Sequence, residues 1–531
     1  MYNKKNKKKL LIIGIDGGTL DIVLPLVKRG VLPNIENLIN NGTYGTLLST
    51  IPPVTAPAWS SFITGTNPGK HGVFYFFKKG KDGERILVNL RHMKGLPFWR
   101  VLNRHGSKVG LINIPLTYPP ERVDRFMISG MLVPQGSNDY TYPPELLSKL
   151  DNYYVDIDGL MVKNEWRVEK LIKKSREMFV RNVFNISKTR THNALKLMKS
   201  EPWDFFMVVF TGSDRICHFF WKDLNSGKSP SSIVEDYYIF LDSMIGKLVK
   251  EAGEDTCKMV MSDHGFGSAA TRKINAVALA EQLGETVFVP YFRLFHLRNR
   301  LLGKIGKKRR ISMEDYVDSK RSRILFEPIY ANFLGISINL RSDDGYGIVR
   351  PGEEYRALRE KIIKKLENLS DPVSGKRLVE EVHTRESLYQ GAFVKDAPDI
   401  VVQFSYDCKV GFSPLKRALV CKHKDPIKTG DHRREGLFIA SGSQIVSGRL
   451  ETELFIQDVT PTLLYLLGAP IPESYDGRLI RELFSDEYLM QHHPQYDFAE
   501  RQTGRGSDGQ EVDSQKEFEE SKKLLRALGY M

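Results

Sequence analysis

Short, almost uninterrupted apolar runs limit what this chain can fold into more than any other feature: residues 10–15, 108–114, 205–210, 258–261, 400–404 and 436–440. A strand with one wet face alternates apolar and polar residues, whereas a strand covered on both faces reads as a continuous apolar segment. Between these runs lie stretches of helical periodicity, among them 34–41, 166–200 and 232–251. Strand and helix in alternation predict an α/β fold, a doubly wound, mostly parallel sheet flanked by helices. With 531 residues, the chain has length for about two to four domains and a large core.

Two regions break the rhythm. Residues 271–424 combine a basic segment (293–323), a β-rich stretch (330–340), a helical stretch (353–366) and the turn Asp371-Pro372-Val373-Ser374-Gly375. They read as an insertion or cap at the carboxyl edge of the sheet, because the chemistry-bearing motifs on either side belong together. The expected order is then a first core part (1–270), the cap (271–424), a second core part (425–485), and a polar linker with a terminal helix near 516–528 (486–531). No internal repeat is evident.

Charge is concentrated rather than general. Of a net +14, residues 1–10 supply five lysines and no acid, and 293–323 supply eleven Lys or Arg against three acids. The rest of the chain is nearly neutral. In 293–310, Leu294, Leu297, Leu301 and Ile305 fall at helical spacing with basic residues between them. Three readings stand side by side: a peripheral helix on an anionic membrane, a cap loop that draws in an anionic substrate, or a solvated loop. Aromatic residues are not interleaved as in single-strand binders, so nucleic acid ranks below these. The apolar run after the N-terminal lysines is too short for a signal peptide and breaks into Gly14-Ile15-Asp16-Gly17-Gly18. No window approaches the roughly 20 apolar residues of a membrane span. Cys217, Cys257, Cys408 and Cys421 show no CxxC spacing, which fits a reducing cytoplasm. A cytoplasmic, membrane-peripheral location is the expectation.

Chemistry gathers at the ends of the apolar runs, where open α/β sheets bind their ligands. Asp16 follows the first run and is either a metal ligand or an Asx-turn residue. Thr55, in Pro52-Pro53-Val54-Thr55-Ala56-Pro57-Ala58-Trp59, is either an N-cap or an activated hydroxyl at a helix start suited to phosphate. Asp214 and His218 follow the third run at i, i+4, on one face of a helix. Asp263 and His264 follow the fourth, where adjacent Asp and His before Gly265 are hard to justify as packing. His432 precedes the last run. Asp16, Asp263, His264 and the Thr55 oxygen would make one ligand set, and Asp214, His218 and His432 a second. Such donors suit zinc first, with manganese or iron as alternatives to it. A pair of cations clamps both the attacking and the leaving oxygen of an in-line displacement. Lower in rank as substrate contacts stand Lys70, Asn113 and Arg433. His71, beside Lys70, reads mainly as a turn-holding hydrogen bonder, and Arg433 reads equally as a solvated charge.

These motifs resemble the alkaline phosphatase superfamily, in its type I phosphodiesterase/nucleotide pyrophosphatase-like branch, over roughly residues 10–485. The resemblance rests on Ile13-Gly14-Ile15-Asp16-Gly17-Gly18, the Thr55 segment, Thr64-Gly65-Thr66-Asn67-Pro68-Gly69-Lys70-His71-Gly72, Asp214 with His218, Ser262-Asp263-His264-Gly265, Gly430-Asp431-His432, and Asp458-Val459-Thr460-Pro461-Thr462 with Asp476-Gly477-Arg478. It implies a metal-dependent phosphohydrolase with two divalent ions, in which Thr55 forms a covalent phospho-threonine that water releases. A phosphorylated small molecule, nucleotide or lipid-linked compound is the implied substrate. A phosphomutase of the same superfamily is the alternative enzyme, and a silent metal-dependent binder of anionic lipid or polymer the alternative of another class. Two departures stand out. Ala58 occupies the place of an asparagine usual in nucleotide pyrophosphatases, and the Thr55 segment lacks the convertible Cys or Ser and the arginine of a sulfatase.

Overall fold

The first apolar run becomes the strand Leu10–Ile15, buried at every position, because it is central: Phe205–Phe210 pairs with it in parallel on one side and Cys257–Met261 on the other. A computed structural model of the protein describes residues 8–80, 85–134, 136–157, 176–225, 232–304, 313–342, 347–423 and 427–498. Among them the central sheet has ten strands. In spatial order they are Gly448–Arg449, Gly42–Leu48, Glu435–Ser441, Cys257–Met261, Leu10–Ile15, Phe205–Phe210, Val109–Ile114, Phe126–Ser129 and Thr141–Tyr142, with Leu454–Phe455 also pairing on Gly42–Leu48. Gly14 is required inside this sheet. A Cβ there would lie 2.8 Å from the Trp59 ring and 2.9 Å from Val209.

Glu435–Ser441 runs antiparallel to both of its neighbours. This reversal decides where His432 lies. The start of an antiparallel strand sits at the pole where its parallel neighbours end, so a residue just before it joins residues just after them.

Helices cover the sheet and are themselves tied down. Ile233–Ala252 starts in a capping box, Ser232 Oγ accepting from the Glu235 amide at 3.1 Å while the Glu235 carboxylate accepts from the Ser232 amide at 2.8 Å, a pairing worth about 1 kcal/mol. From the same helix Asp242 caps Pro33–Asn40, accepting from the Ile35 amide at 2.8 Å; that helix has no side-chain cap of its own. The expected helix 166–200 appears as Arg176–Ser200, its earlier residues lying outside the described ones.

The chain divides into two compact units, Met1–Gly267 with Ile427–Met531, and Ser268–Pro426. The second has an antiparallel sheet in the order Ile324–Tyr330, Phe333–Ile338, Ile400–Phe404, Val379–Thr384. Its Leu334, Ile336, Ile400 and Val402 pack with Leu358, Ile362 and Leu366 of the helix Glu353–Glu367. The run 400–404 thus belongs to this separate sheet and not to the parallel one. Continuous apolar sequence marks burial on both faces, and burial alone does not choose a partner strand.

Residues 486–498, expected as linker, form the helix Asp486–Gln491 and a two-residue strand, Tyr496–Asp497, paired with Ile471–Pro472. The helix expected near 516–528, the lysines before Lys8 and residues 305–312 of the basic segment lie outside the described residues. The four cysteines are buried free thiols. No described helix is long and apolar enough to cross a membrane.

Candidate metal centre

Each strand end at the shared pole delivers its polar residue through a short, fixed connection. Asp16 follows directly on Leu10–Ile15, its amide bonded to the Phe210 carbonyl at 2.9 Å. Gly17 then takes φ +69° and turns its amide onto Asp263 Oδ1 at 3.1 Å. Only glycine serves there, since a Cβ would meet the Phe266 ring at 2.8 Å besides straining the left-handed backbone. Ser213 Oγ donates to the Asp16 carbonyl at 2.6 Å, and Ser262 Oγ to the Gly18 carbonyl at 2.8 Å. Asp16, Thr55, Asp214, Asp263 and His264 are wholly buried and His432 nearly so.

Two groups of side chains could each hold a metal ion. Asp214, His218 and His432 form one, and Asp16, Asp214 and His264 the other, the donor atoms of each lying within 4.8 Å of one another. In the first, His432 Nε2 is 3.1 Å from both Asp214 Oδ1 and His218 Nε2, and His218 Nε2 is 3.3 Å from Asp214 Oδ1. In the second, His264 Nε2 lies 3.6 Å from Asp16 Oδ1, 3.4 Å from Asp263 Oδ2 and 3.3 Å from Thr55 Oγ1. All seven residues singled out from the sequence therefore meet at one pole. Asp214 stands closer to the second group than its spacing with His218 alone suggests.

The histidines are held in one tautomer. His218 Nδ1 faces the Gly430 carbonyl at 3.1 Å, His264 Nδ1 the Gly265 carbonyl at 3.1 Å, and His432 Nδ1 the Pro53 carbonyl at 2.9 Å. A carbonyl only accepts, so each Nδ1 carries the proton and each Nε2 presents a lone pair, the form that binds metal. Burial pushes the imidazolium form of His218 down to about 4, and burial with the nearby His432 holds His264 well below the usual range. At neutral pH the rings of His218 and His264 are thus neutral and present Nε2 lone pairs suited to a metal ion.

The carboxylates point the same way. Neither oxygen of Asp16, nor Oδ2 of Asp263, has a hydrogen-bond partner. Burial, then the Asp263 and Asp214 charges, raise Asp16 well above the ordinary carboxylate range. Asp263 is pushed up to about 8 by burial, and its bond from the Gly17 amide only partly opposes this. Burial works against ionising Asp214 too, but His218, His432 and Arg215 outweigh it and hold that carboxyl well below its usual range. Buried anions without partners are costly, and a divalent ion among them removes the cost. The donor set fits metal.

Sequence reasoning missed the support behind Asp214. The guanidinium of Arg215, 1% exposed, bonds Asp214 Oδ2 and reaches Asp156 Oδ2 at 2.8 Å, which turns Asp214 Oδ1 toward the histidines. Next to Asp214 in the sequence, Arg215 carries no mark of its burial. Phe266 adds a wall, its ring 4.8 Å from His218 and 5.3 Å from His432.

The weaker candidates have other engagements. Lys70 pairs with Asp476 and donates to the Ser474 carbonyl at 3.0 Å. His71 spans Ser61 Oγ at 2.9 Å and the Val73 amide at 3.1 Å, and so holds its turn. Arg433 Nη1 donates to the His432 carbonyl at 2.8 Å. Asn113, at φ +63°, donates to the Val209 carbonyl at 3.2 Å and keeps Oδ1 without a partner. The Asp476-Gly477-Arg478 motif is a clamp on the far end of the helix Thr55–Thr64: the Asp476 and Gly477 amides bond the Gly65 carbonyl at 2.8 and 3.0 Å.

A mostly parallel sheet thus brings N and O donors that fit divalent metal to one pole, and the family to which the chain belongs is one of metal-dependent phosphoric ester hydrolases. Residues 10–432 match the type I phosphodiesterase/nucleotide pyrophosphatase family, and the chain belongs to it. A comparison with curated proteins finds no match. Among solved structures, the fold is similar to human ectonucleotide pyrophosphatase/phosphodiesterase 5, with a TM-score of 0.52 and 12% identity over 90% of this chain and 100% of that one. It is similar to phosphonoacetate hydrolase from Sinorhizobium meliloti in complex with phosphonoacetate, with a TM-score of 0.51 and 14% identity over 87% and 96%. An inactive variant of the murine ectonucleotide enzyme in complex with AMP gives 0.52 and 12% over 90% and 100%.

Proposed function

We propose that the protein cleaves a phosphomonoester or phosphodiester through a covalent phospho-threonine at Thr55, with two divalent ions, zinc by preference. The observation that carries this is the placement of Thr55 Oγ1, buried at the first turn of its helix and 3.3 Å from His264 Nε2, beside the unpartnered oxygens of Asp16 and Asp263. Asp16, Asp263, His264 and Thr55 would hold one ion, and Asp214, His218 and His432 the other. Bound ions would neutralise the phosphoryl oxygens and lower the pKa of the attacking oxygen.

The chain's own groups do the rest. Thr55 Oγ1 forms the bond to phosphorus as the ester oxygen leaves, and the proton Thr55 loses ends on the departing alcohol. Water then splits the phospho-threonine and restores the hydroxyl. Arg215 keeps Asp214 ionised and oriented throughout, and the three Nδ1–H to carbonyl bonds keep each Nε2 aimed inward. A threonine-to-alanine change inactivates the murine neighbour bound to AMP, which supports a threonine nucleophile and a nucleotide-like substrate.

The test is turnover of p-nitrophenyl phosphate and bis-p-nitrophenyl phosphate after chelation and add-back of Zn, Mn or Mg, beside Thr55→Ala and His264→Ala. Metal-dependent turnover lost in both variants, with a phosphorylated Thr55 peptide trapped at low pH, is the expected result. Turnover surviving in Thr55→Ala would remove the covalent step.

A further inference from the structure

The helix Phe292–Lys304 of the second unit has two apolar sides. One is packed: Phe292 stacks on Phe288 with centroids 4.6 Å apart, His296 Nδ1 bonds the Tyr316 hydroxyl at 2.9 Å, and Asn299 is 6% exposed. At about 100° per residue, Leu294, Leu297 and Leu301 fall together on the opposite side, within a sector of roughly 60°. They are 62%, 42% and 55% exposed, and Tyr291, just before the helix, is 80% exposed. Arg293 and Arg300 border this stripe on one flank and Arg298 on the other. Arg293 pairs with Glu281 at 2.6 Å, whereas Arg298 and Arg300 enter no ion pair among the described residues. Between Glu285 and Glu314 the sequence has eight Lys or Arg and no acid.

We propose that this face lies on an anionic lipid surface, the leucines entering the acyl boundary and the arginines reaching the headgroups. A helix that needed only its own core would keep its leucines on the Phe292 side. Leucines turned outward leave water only against something apolar. Arginines flanking such a stripe can extend to phosphates while their stems lie along the apolar surface. A second copy fits less well, because a two-fold contact through this face would bring like charges together. At 13 residues the helix is shorter than the roughly 20 a bilayer span needs, so the proposed contact is peripheral. It is independent of the reading of the metal centre.

The experiment is flotation of the full-length protein with vesicles of phosphatidylcholine alone and of phosphatidylcholine mixed with phosphatidylglycerol. The wild type should float only with the anionic vesicles, and less so as salt rises. Leu294→Ser/Leu297→Ser/Leu301→Ser and Arg298→Gln/Arg300→Gln should each weaken binding at least about tenfold, while circular dichroism and hydrolysis of soluble bis-p-nitrophenyl phosphate stay unchanged. No flotation of the wild type, or a triple-serine variant that floats like it, overturns the proposal. So does a wild-type dimer in sedimentation equilibrium that the serine variant dissolves, which would make the face a self-contact.

Discussion

Asp214, which belongs to both possible metal-holding groups, and the Asp16 and Asp263 carboxyls around His264 share a pole and a chemistry, yet they solve the problem of buried charge differently. Asp214 has a built-in counter-charge, since Arg215 bonds one of its oxygens and is itself shared with Asp156. No arginine or lysine bonds Asp16 or Asp263 among the described residues, and three of their four oxygens lack a hydrogen bond. The first group is therefore preformed, while the second is ionised at neutral pH only at a cost that a cation would remove. On the proposed mechanism the difference would separate two tasks: one group would fix geometry, and the other, with Thr55, would couple metal binding to the attacking hydroxyl.

The largest expected effect lies at Thr55. Thr55→Ala should lower kcat on bis-p-nitrophenyl phosphate on the order of 10⁴-fold while metal binding by the Asp214 group, read by equilibrium dialysis, persists. Next in size, Arg215→Met strands Asp214 and Asp156 without their partner and should cost about 3–5 kcal/mol in urea unfolding.

Asp263→Asn sharpens the contrast from the other side. The Asp263 carboxyl is raised in the folded state to about 8. Its contribution is then fully present below the ordinary carboxylate value and is lost as pH rises through about 8, so the metal-free wild type should lose stability across that window. The amide cannot ionise. Metal-free Asp263→Asn should match the wild type near pH 4 and exceed it by a few kcal/mol near pH 9, as measured by thermal unfolding. Saturating metal should stabilise the wild type more at pH 8 than at pH 5, because it competes with protons on that carboxyl. The smallest effect belongs to the scaffold. Ser61→Ala leaves the buried His71 Nε2–H unbonded and should cost about 1 kcal/mol, with turnover unchanged.

Much of this was legible in the sequence, for a physical reason. Strands such as Leu10–Ile15 and Phe205–Phe210 are covered on both faces and read as continuous apolar runs, so a polar residue at their ends stands out. Asp16, Asp214, Asp263 and His264 were singled out that way, and the fold brings them to one pole. Strand direction was not legible: an apolar run has no sign, and only pairing shows that Glu435–Ser441 is reversed and brings His432 to the pole. Sheet membership was hidden for the same reason in Ile400–Phe404. Arg215 looked like any charged residue, because its burial depends on Asp156, 59 residues away. In Phe292–Lys304 the leucine spacing was visible, but which side faced the core depended on Tyr316 and Phe412, far along the chain.

The central claim, that one pole holds two ions in two distinguishable groups, is tested most directly by counting metal. Plasma mass spectrometry on protein saturated with zinc and desalted should find two equivalents per wild-type chain and one in His218→Ala/His432→Ala. No bound zinc in the wild type, or the same count in the double variant, would contradict it.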